Sequence, residues 1–155
     1  MKMVDFLKAE AIKVSLEAKN KKGIIEELLE LLVQTGKVKD KSNVLNAIFE
    51  REKIGSTAIG KGVAIPHAKS NAVTEVTAAC GISFEGVDFG HTVDDEPVRL
   101  FFLLVAPNDA AGPHLKALAR LSRLLHNSGF RESLMKATAK EELFSIISEE
   151  DRKRQ

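Results

Sequence analysis

Between Pro97 and Ala106 the chain reads Val98-Arg99-Leu100-Phe101-Phe102-Leu103-Leu104-Val105, apolar at every position except Arg99. A run of this length reads as a β-strand, and the missing alternation implies that both of its faces are covered. It is the expected central strand. A sheet buried on both sides needs helices above and below it, so the expected fold is α/β, a three-layer α/β/α sandwich with a mixed, mostly buried sheet flanked by helices. The run is far shorter than the roughly 20 apolar residues that cross a bilayer, so no direct membrane insertion is expected. Lys plus Arg number 23 and Asp plus Glu 22, and the net charge of +1 offers no broad field for nucleic acid or an anionic membrane. The single cysteine, Cys80, cannot close an intrachain disulfide, and the start Met1-Lys2-Met3-Val4-Asp5 lacks a leader pattern. A reducing, cytoplasmic location is the expectation.

The other elements follow from periodicity. Ile12, Val14 and Leu16 alternate with polar residues, as in a half-buried strand. Apolar residues from Gly23 to Gln34 recur at helical spacing, with Gly36 as a stop. Ser42 or Asp40 can cap a second helix, built on Val44, Leu45, Ile48 and Phe49 and running into Glu50, Arg51 and Glu52. Ile54 to Gly62 holds three glycines and reads as a loop with unusual backbone angles, feeding a short strand at Val63-Ala64-Ile65 that Pro66 should stop. The alternation from Val76 to Phe84 predicts a strand with one face in the core, which places Cys80 inside as a reduced thiol. Gly112-Pro113 predicts a helix with proline at its first position, and Leu115, Leu118, Leu121, Leu124 and Leu125 form its apolar face. Two short helices should follow, at Phe130 to Met135 and Glu141 to Ile147. The charged tail from Glu149 to Gln155 should fray.

Four histidines are the candidates for chemistry. His67 leads, because it follows the strand-ending Pro66 directly after the glycine-rich loop, where a side chain can stand at a sheet edge within reach of solvent and a partner. His114 falls in the first turn of a helix, where free N–H groups and the positive dipole end favour an anion and keep an imidazole neutral. His91, in a polar connection, and His126, at a helix end, read as structural or incidental. A zinc site on His67 and His114 is not expected, since no motif such as H-E-x-x-H supplies further ligands. Lys61 between two glycines does not complete the nucleotide-loop spacing. Lys19, Lys21, Lys22, Lys37, Lys39 and Lys41 read as solvated helix flanks.

The stretch from Arg51 to Ala68, Arg-Glu-Lys-Ile-Gly-Ser-Thr-Ala-Ile-Gly-Lys-Gly-Val-Ala-Ile-Pro-His-Ala, resembles the phosphorylation-site signature of the fructose- and mannitol-type enzyme IIA domains. These belong to the phosphoenolpyruvate-dependent sugar phosphotransferase system, and the nitrogen-regulatory enzyme IIA is a close relative. The match fills the acidic position at Glu52, Ile59-Gly60, and the run from Val63 to Ala68 without a gap. The order of elements over nearly the whole chain is also similar, so residues 1–155 are expected to be one enzyme IIA type-2 domain with a frayed tail from about 149.

The resemblance implies that His67 accepts a phosphoryl group from the histidine-containing phosphocarrier protein and passes it to a separate IIB component of a sugar permease. A neutral imidazole is a good nucleophile near neutral pH, and its phosphoramidate is labile enough to be handed on. Phosphoryl transfer needs positioning and positive or hydrogen-bonding groups. Arg51 can bind two phosphate oxygens in a fork, the role the resemblance gives it; otherwise it is a helix-end residue paired with Glu50 or Glu52. His114 corresponds to a histidine that orients the phosphate. Ser56 and Thr57 can donate hydroxyls to the phosphate or simply shape the turn. No metal, nucleotide or organic cofactor is required by the implied mechanism. The alternative is a nitrogen-type regulatory module, whose phosphorylation state controls partner proteins.

Overall fold

A computed structural model of the chain describes residues 1–90 and 94–154. After a 3₁₀ turn at Met3–Asp5, the elements in order are β1 (Leu7–Lys13), α1 (Lys21–Gln34), α2 (Lys41–Ile54), β2 (Ala58–Gly60), β3 (Val63–Ala64) and β4 (His67–Lys69). They continue with β5 (Thr77–Val87), β6 (Val98–Ala106), α3 (Ala111–Leu125), α4 (Ser128–Met135) and α5 (Lys140–Lys153). His91 and the Thr92 beside it lie outside the described residues.

The sheet order is β1-β5-β6-β3-β2, with β4 also paired to β6. β5 and β6 are antiparallel, whereas β1–β5, β3–β6 and β4–β6 are parallel, so the sheet is mixed. Two separate cores flank it. Val63, Ile65, Ala78, Cys80, Ile82, Leu100, Phe102 and Leu104 pack against α3, α4 and α5. Ala64, Ala68, Ala79, Phe101, Leu103 and Val105 pack against α1 and α2. The molecule is the expected three-layer α/β/α sandwich, and β6 is buried along both faces, with only Arg99 partly exposed.

Local details differ from the sequence pattern in informative ways. β1 begins at Leu7 and ends before Val14, and the neighbours Ala11 and Ile12 serve opposite cores, so the apparent alternation from Ile12 to Leu16 did not mark the strand. In β5 every residue from Thr77 to Ser83 is buried, not one face only. Gly81 has to be small because Leu16 packs directly onto it: a Cβ there would sit 2.6 Å from the Leu16 side chain. Cys80 is buried as expected, and burial pushes its thiol pKa up. The turn from Gly60 to Gly62 is left-handed at three consecutive residues, Lys61 included, which permits the tight β2–β3 reversal.

Asp40, not Ser42, caps α2, accepting from the Asn43 N–H at 3.2 Å. α3 starts at Ala111, so Pro113 is its third residue, still within the first turn where no helical N–H is needed. Leu115 leaves the expected apolar face and stands 68% exposed. The largest correction concerns the tail. α5 continues to Lys153, and Asp151 is 1% exposed. Its carboxylate accepts from Arg120 Nε at 3.1 Å and Nη2 at 2.9 Å, and from the Val4 N–H at 3.0 Å. A partner 31 residues away in sequence thus fastens a segment whose charge alone suggested a solvated end.

Candidate functional site

β3 and β4 are one interrupted strand. Val63 pairs with Leu100 and His67 with Leu104, an unchanged register, so Pro66 does not stop the strand as its type suggested. Its missing N–H is harmless because its carbonyl still accepts from the Leu104 N–H at 2.9 Å, while β2, which flanks β3 on the other side, has already ended. His67 therefore opens an edge segment. It shares the face of Val63 and Ile65, directed toward α3, and remains partly exposed.

The His67 ring is fixed by its own backbone neighbour: Nδ1 lies 2.8 Å from the Ile65 carbonyl oxygen. A carbonyl only accepts, so Nδ1 carries the proton and Nε2 holds the free lone pair. Burial, assisted by the charge of Arg51, lowers the pKa of His67, and the Ile65 carbonyl and Glu52 oppose that shift. The ring is kept neutral and nucleophilic at Nε2.

Arg51 comes from the last turn of α2. Nη1 donates to the Gly55 carbonyl at 2.9 Å, its one hydrogen bond among the described residues, so the rest of the guanidinium fork is unengaged. It does not pair with Glu50 or Glu52. Glu50 pairs with Lys53 at 2.8 Å, and Glu52 with Lys21 at 2.6 Å. Lys21 is thus no free helix flank; it spans from α1 to a carboxylate that is 6% exposed.

His114 enters from the start of α3, where its backbone N–H makes a helical bond to Ala110 at 3.0 Å. Its side chain meets His67 edge to face, with ring centroids 5.6 Å apart. The residue is 7% exposed, and its Nε2 is buried with no hydrogen-bond partner. Burial, with the cost of a second positive charge beside His67 and the Lys69 charge, pushes its pKa down to about 4.

These three residues line one open cleft of about 770 Å³ at the sheet edge, between the end of α2 and the start of α3. Lys69, Asn108 and the apolar rim of Ile54, Leu115 and Leu118 complete much of its wall, and Ile54 is 83% exposed. Lys69 and Asn108 were not picked out from the sequence; only their places after His67 and before α3 hint at them. Ser56 and Thr57 do not line the cleft. The Ser56 hydroxyl donates to the Phe89 carbonyl at 3.1 Å and accepts from the Ala58 N–H, and the Thr57 hydroxyl donates to Glu52. In this structure their hydroxyls are engaged within the turn, the second of the two readings their sequence allows.

A lone-pair nitrogen sharing one cleft with a guanidinium only partly engaged and with a neutral imidazole suits an incoming group that is compact, electrophilic and anionic. Among the described residues, no group of three or more His, Cys, Asp and Glu side chains converges as a metal site would require. No helix among them is long and apolar enough to cross a membrane.

Residues 5–150 match the family model described as the phosphoenolpyruvate-dependent sugar phosphotransferase system, EIIA 2. The chain is 40% identical over 129 residues to the fructose-specific EIIA component of Haloferax volcanii, covering 83% of each. It is 38% identical over 152 residues to the fructose-specific EIIABC component of Bacillus subtilis, covering 98% of this chain but only 24% of that protein. The chain therefore spans about a quarter of that relative. Among solved structures, nitrogen regulatory protein IIA-Ntr from Neisseria meningitidis superposes with a TM-score of 0.84 at 36% identity, over 92% of this chain and 97% of that one. The Escherichia coli enzyme IIA mannitol, in a complex with phosphorylated enzyme IIB mannitol, gives 0.78 at 26% identity, over 93% and 99%. With a family model matched along almost its full length and relatives of this similarity, the chain belongs to the EIIA 2 family of the sugar phosphotransferase system.

Proposed function

We propose that this domain is a phosphocarrier whose His67 takes a phosphoryl group on Nε2 from the histidine-containing phosphocarrier protein and passes it to a separate IIB component of a fructose- or mannitol-type permease. The observation that carries this reading is the bond from His67 Nδ1–H to the Ile65 carbonyl, which leaves Nε2 as the free nucleophile in a cleft lined by Arg51 and His114. In the transfer, the Nε2 lone pair attacks phosphorus in line as the donor's P–N bond breaks, and the donor imidazole leaves with that electron pair. Arg51 offers a fork to two equatorial oxygens. His114 offers an N–H to a third, and its buried Nε2 would gain the partner it lacks in the unphosphorylated protein.

The partners would dock over the cleft, where Ile54 and Leu115 supply exposed apolar contact around the reacting nitrogen. The test supplies phosphoenolpyruvate, enzyme I and the carrier protein and follows label on the chain. Wild-type protein should be labelled and His67→Ala should not; equal labelling of the two would refute the proposal. The likeness to a nitrogen regulatory protein at a TM-score of 0.84 supports a second reading, in which the phosphorylation state of His67 controls a partner and no sugar is fed. Rapid loss of label to a IIB component favours transport, and inertness to every such component favours regulation.

A further inference from the structure

Building on the phosphocarrier reading of His67, we propose that Glu52 is a positioning residue for phosphoryl transfer: its buried carboxylate holds the loop at 55–57 and, through that loop, sets the tautomer of His67 and the placement of Arg51. Glu52 does not line the cleft, so it positions the reacting groups through other residues, while its charge also opposes the lowering of the His67 pKa.

The connection is a continuous chain of polar contacts across three elements. Lys21 Nζ at the start of α1 lies 2.6 Å from Glu52 Oε1 near the end of α2. Glu52 in turn accepts from the Thr57 N–H at 3.4 Å through Oε1 and from the Thr57 hydroxyl through Oε2. The Thr57 carbonyl accepts from the Ile65 N–H at 3.0 Å, and the Ile65 carbonyl accepts from His67 Nδ1–H at 2.8 Å. Each group in the series orients the next, and the last bond decides which imidazole nitrogen is the nucleophile. A second branch leaves the same loop: the Gly55 carbonyl, two residues before Thr57, holds Arg51 Nη1 at 2.9 Å. One carboxylate thereby governs both the nucleophile and the phosphate clamp.

The burial of Glu52 makes this assignment sharper than a surface ion pair would. A side chain 6% exposed cannot exchange its partners for water, so its geometry is transmitted with little slack. The other side of the loop is pinned independently, by the Ser56 hydroxyl on the Phe89 carbonyl at 3.1 Å. Loss of the Glu52 grip should therefore loosen the loop without unfolding the domain.

The experiment compares wild type, Glu52→Ala and Glu52→Gln by the ¹⁵N shifts of the His67 imidazole and by the rate of phosphoryl transfer. Wild type should show Nδ1–H alone. Glu52→Ala should show mixed tautomers and a transfer rate lower by about 10- to 100-fold at saturating donor, with the apparent KM for the donor unchanged because the cleft rim is intact. Glu52→Gln keeps one oxygen to accept from the Thr57 N–H, and its NH2 can donate to the Thr57 hydroxyl, so the loop stays held; it should keep the single tautomer and most of the rate. A folded Glu52→Ala variant with the wild-type tautomer and rate overturns the proposal. Should Glu52→Ala fail to fold, Thr57→Val removes the gripped hydroxyl and keeps the carbonyl; mixed tautomers there support the proposal, and an unchanged ring overturns it. The tautomer needs no phosphodonor, so it decides the role of Glu52 even where wild type proves unlabelled and the phosphocarrier reading itself fails.

Discussion

His67 and His114 meet edge to face, with ring centroids 5.6 Å apart and planes at 72°, one from a sheet-edge strand and the other from the first turn of a helix. Two imidazoles this close disfavour a second positive charge, and burial disfavours the first. Both rings therefore stay neutral, which leaves His67 with a lone pair on Nε2 and His114 with a nitrogen still to satisfy.

The neutrality of His114 has a cost at low pH. In the unfolded chain it takes up a proton near its ordinary value of 6.5, but in the fold only near 4. Between those values the unfolded chain binds more protons, so stability is lost as pH falls through the window, by about 3 kcal/mol in all from this group. Urea unfolding at pH 7 and pH 4.5 should show a smaller drop for His114→Gln than for wild type. Equal drops would mean that His114 is not held neutral by the fold.

Arg51→Lys keeps the charge but loses the planar fork, so transfer to His67 should slow by about 100-fold. The thermal midpoint should hardly move, because Arg51 is partly exposed and makes a single hydrogen bond. Quench-flow labelling and a melting curve check both, and wild-type kinetics in the variant would remove the clamp role.

Leu115 is a large apolar side chain held in solvent at the cleft rim. Leu115→Ser should leave stability within about 0.5 kcal/mol and raise the apparent KM for the protein phosphodonor roughly tenfold, the effect of losing one apolar contact. Titrating the donor in the labelling assay distinguishes this from a change in the chemical step. An unaltered KM would place the docking face elsewhere.

Asp151→Ala leaves Arg120 buried without its counter-ion and should destabilise the domain by about 3–5 kcal/mol, lowering the melting temperature by roughly 10 °C. Labelling of His67 at 25 °C should persist, since this pair lies away from the cleft lining. A melting temperature within 2 °C of wild type, by the order of magnitude of one ordinary contact, would show that the tail is not fastened there.

Much of the fold was legible because it depends on residue type along a few turns of chain. The run at Val98 to Val105 predicts a doubly covered strand, and β6 is one. The spacing of apolar residues from Ile24 to Leu32 predicts α1, whose buried residues are Ile24, Ile25, Leu28, Leu29 and Leu32. Where pattern misled, packing was the cause. Gly81 looks like the weak side of a strand, yet it is small because the Leu16 side chain lies directly on it. Pro66 looks like a stop, yet the ladder resumes beyond it because the side it cannot serve has no neighbour there.

For the site, sequence alone determined the chemical inventory: an imidazole after Pro66, a guanidinium at a helix end, and a second imidazole at a helix start, each fixed by residue identity and local spacing. Only the tertiary structure decided which of these meet. It brings Arg51, His67 and His114 to one cleft, turns Ser56 and Thr57 away from it, and links Lys21 to Glu52 and Arg120 to Asp151. The reason is geometric. Local propensity acts over a few residues, whereas the distance between the end of α2 and the start of α3 is set by how both layers close over the edge of a sheet.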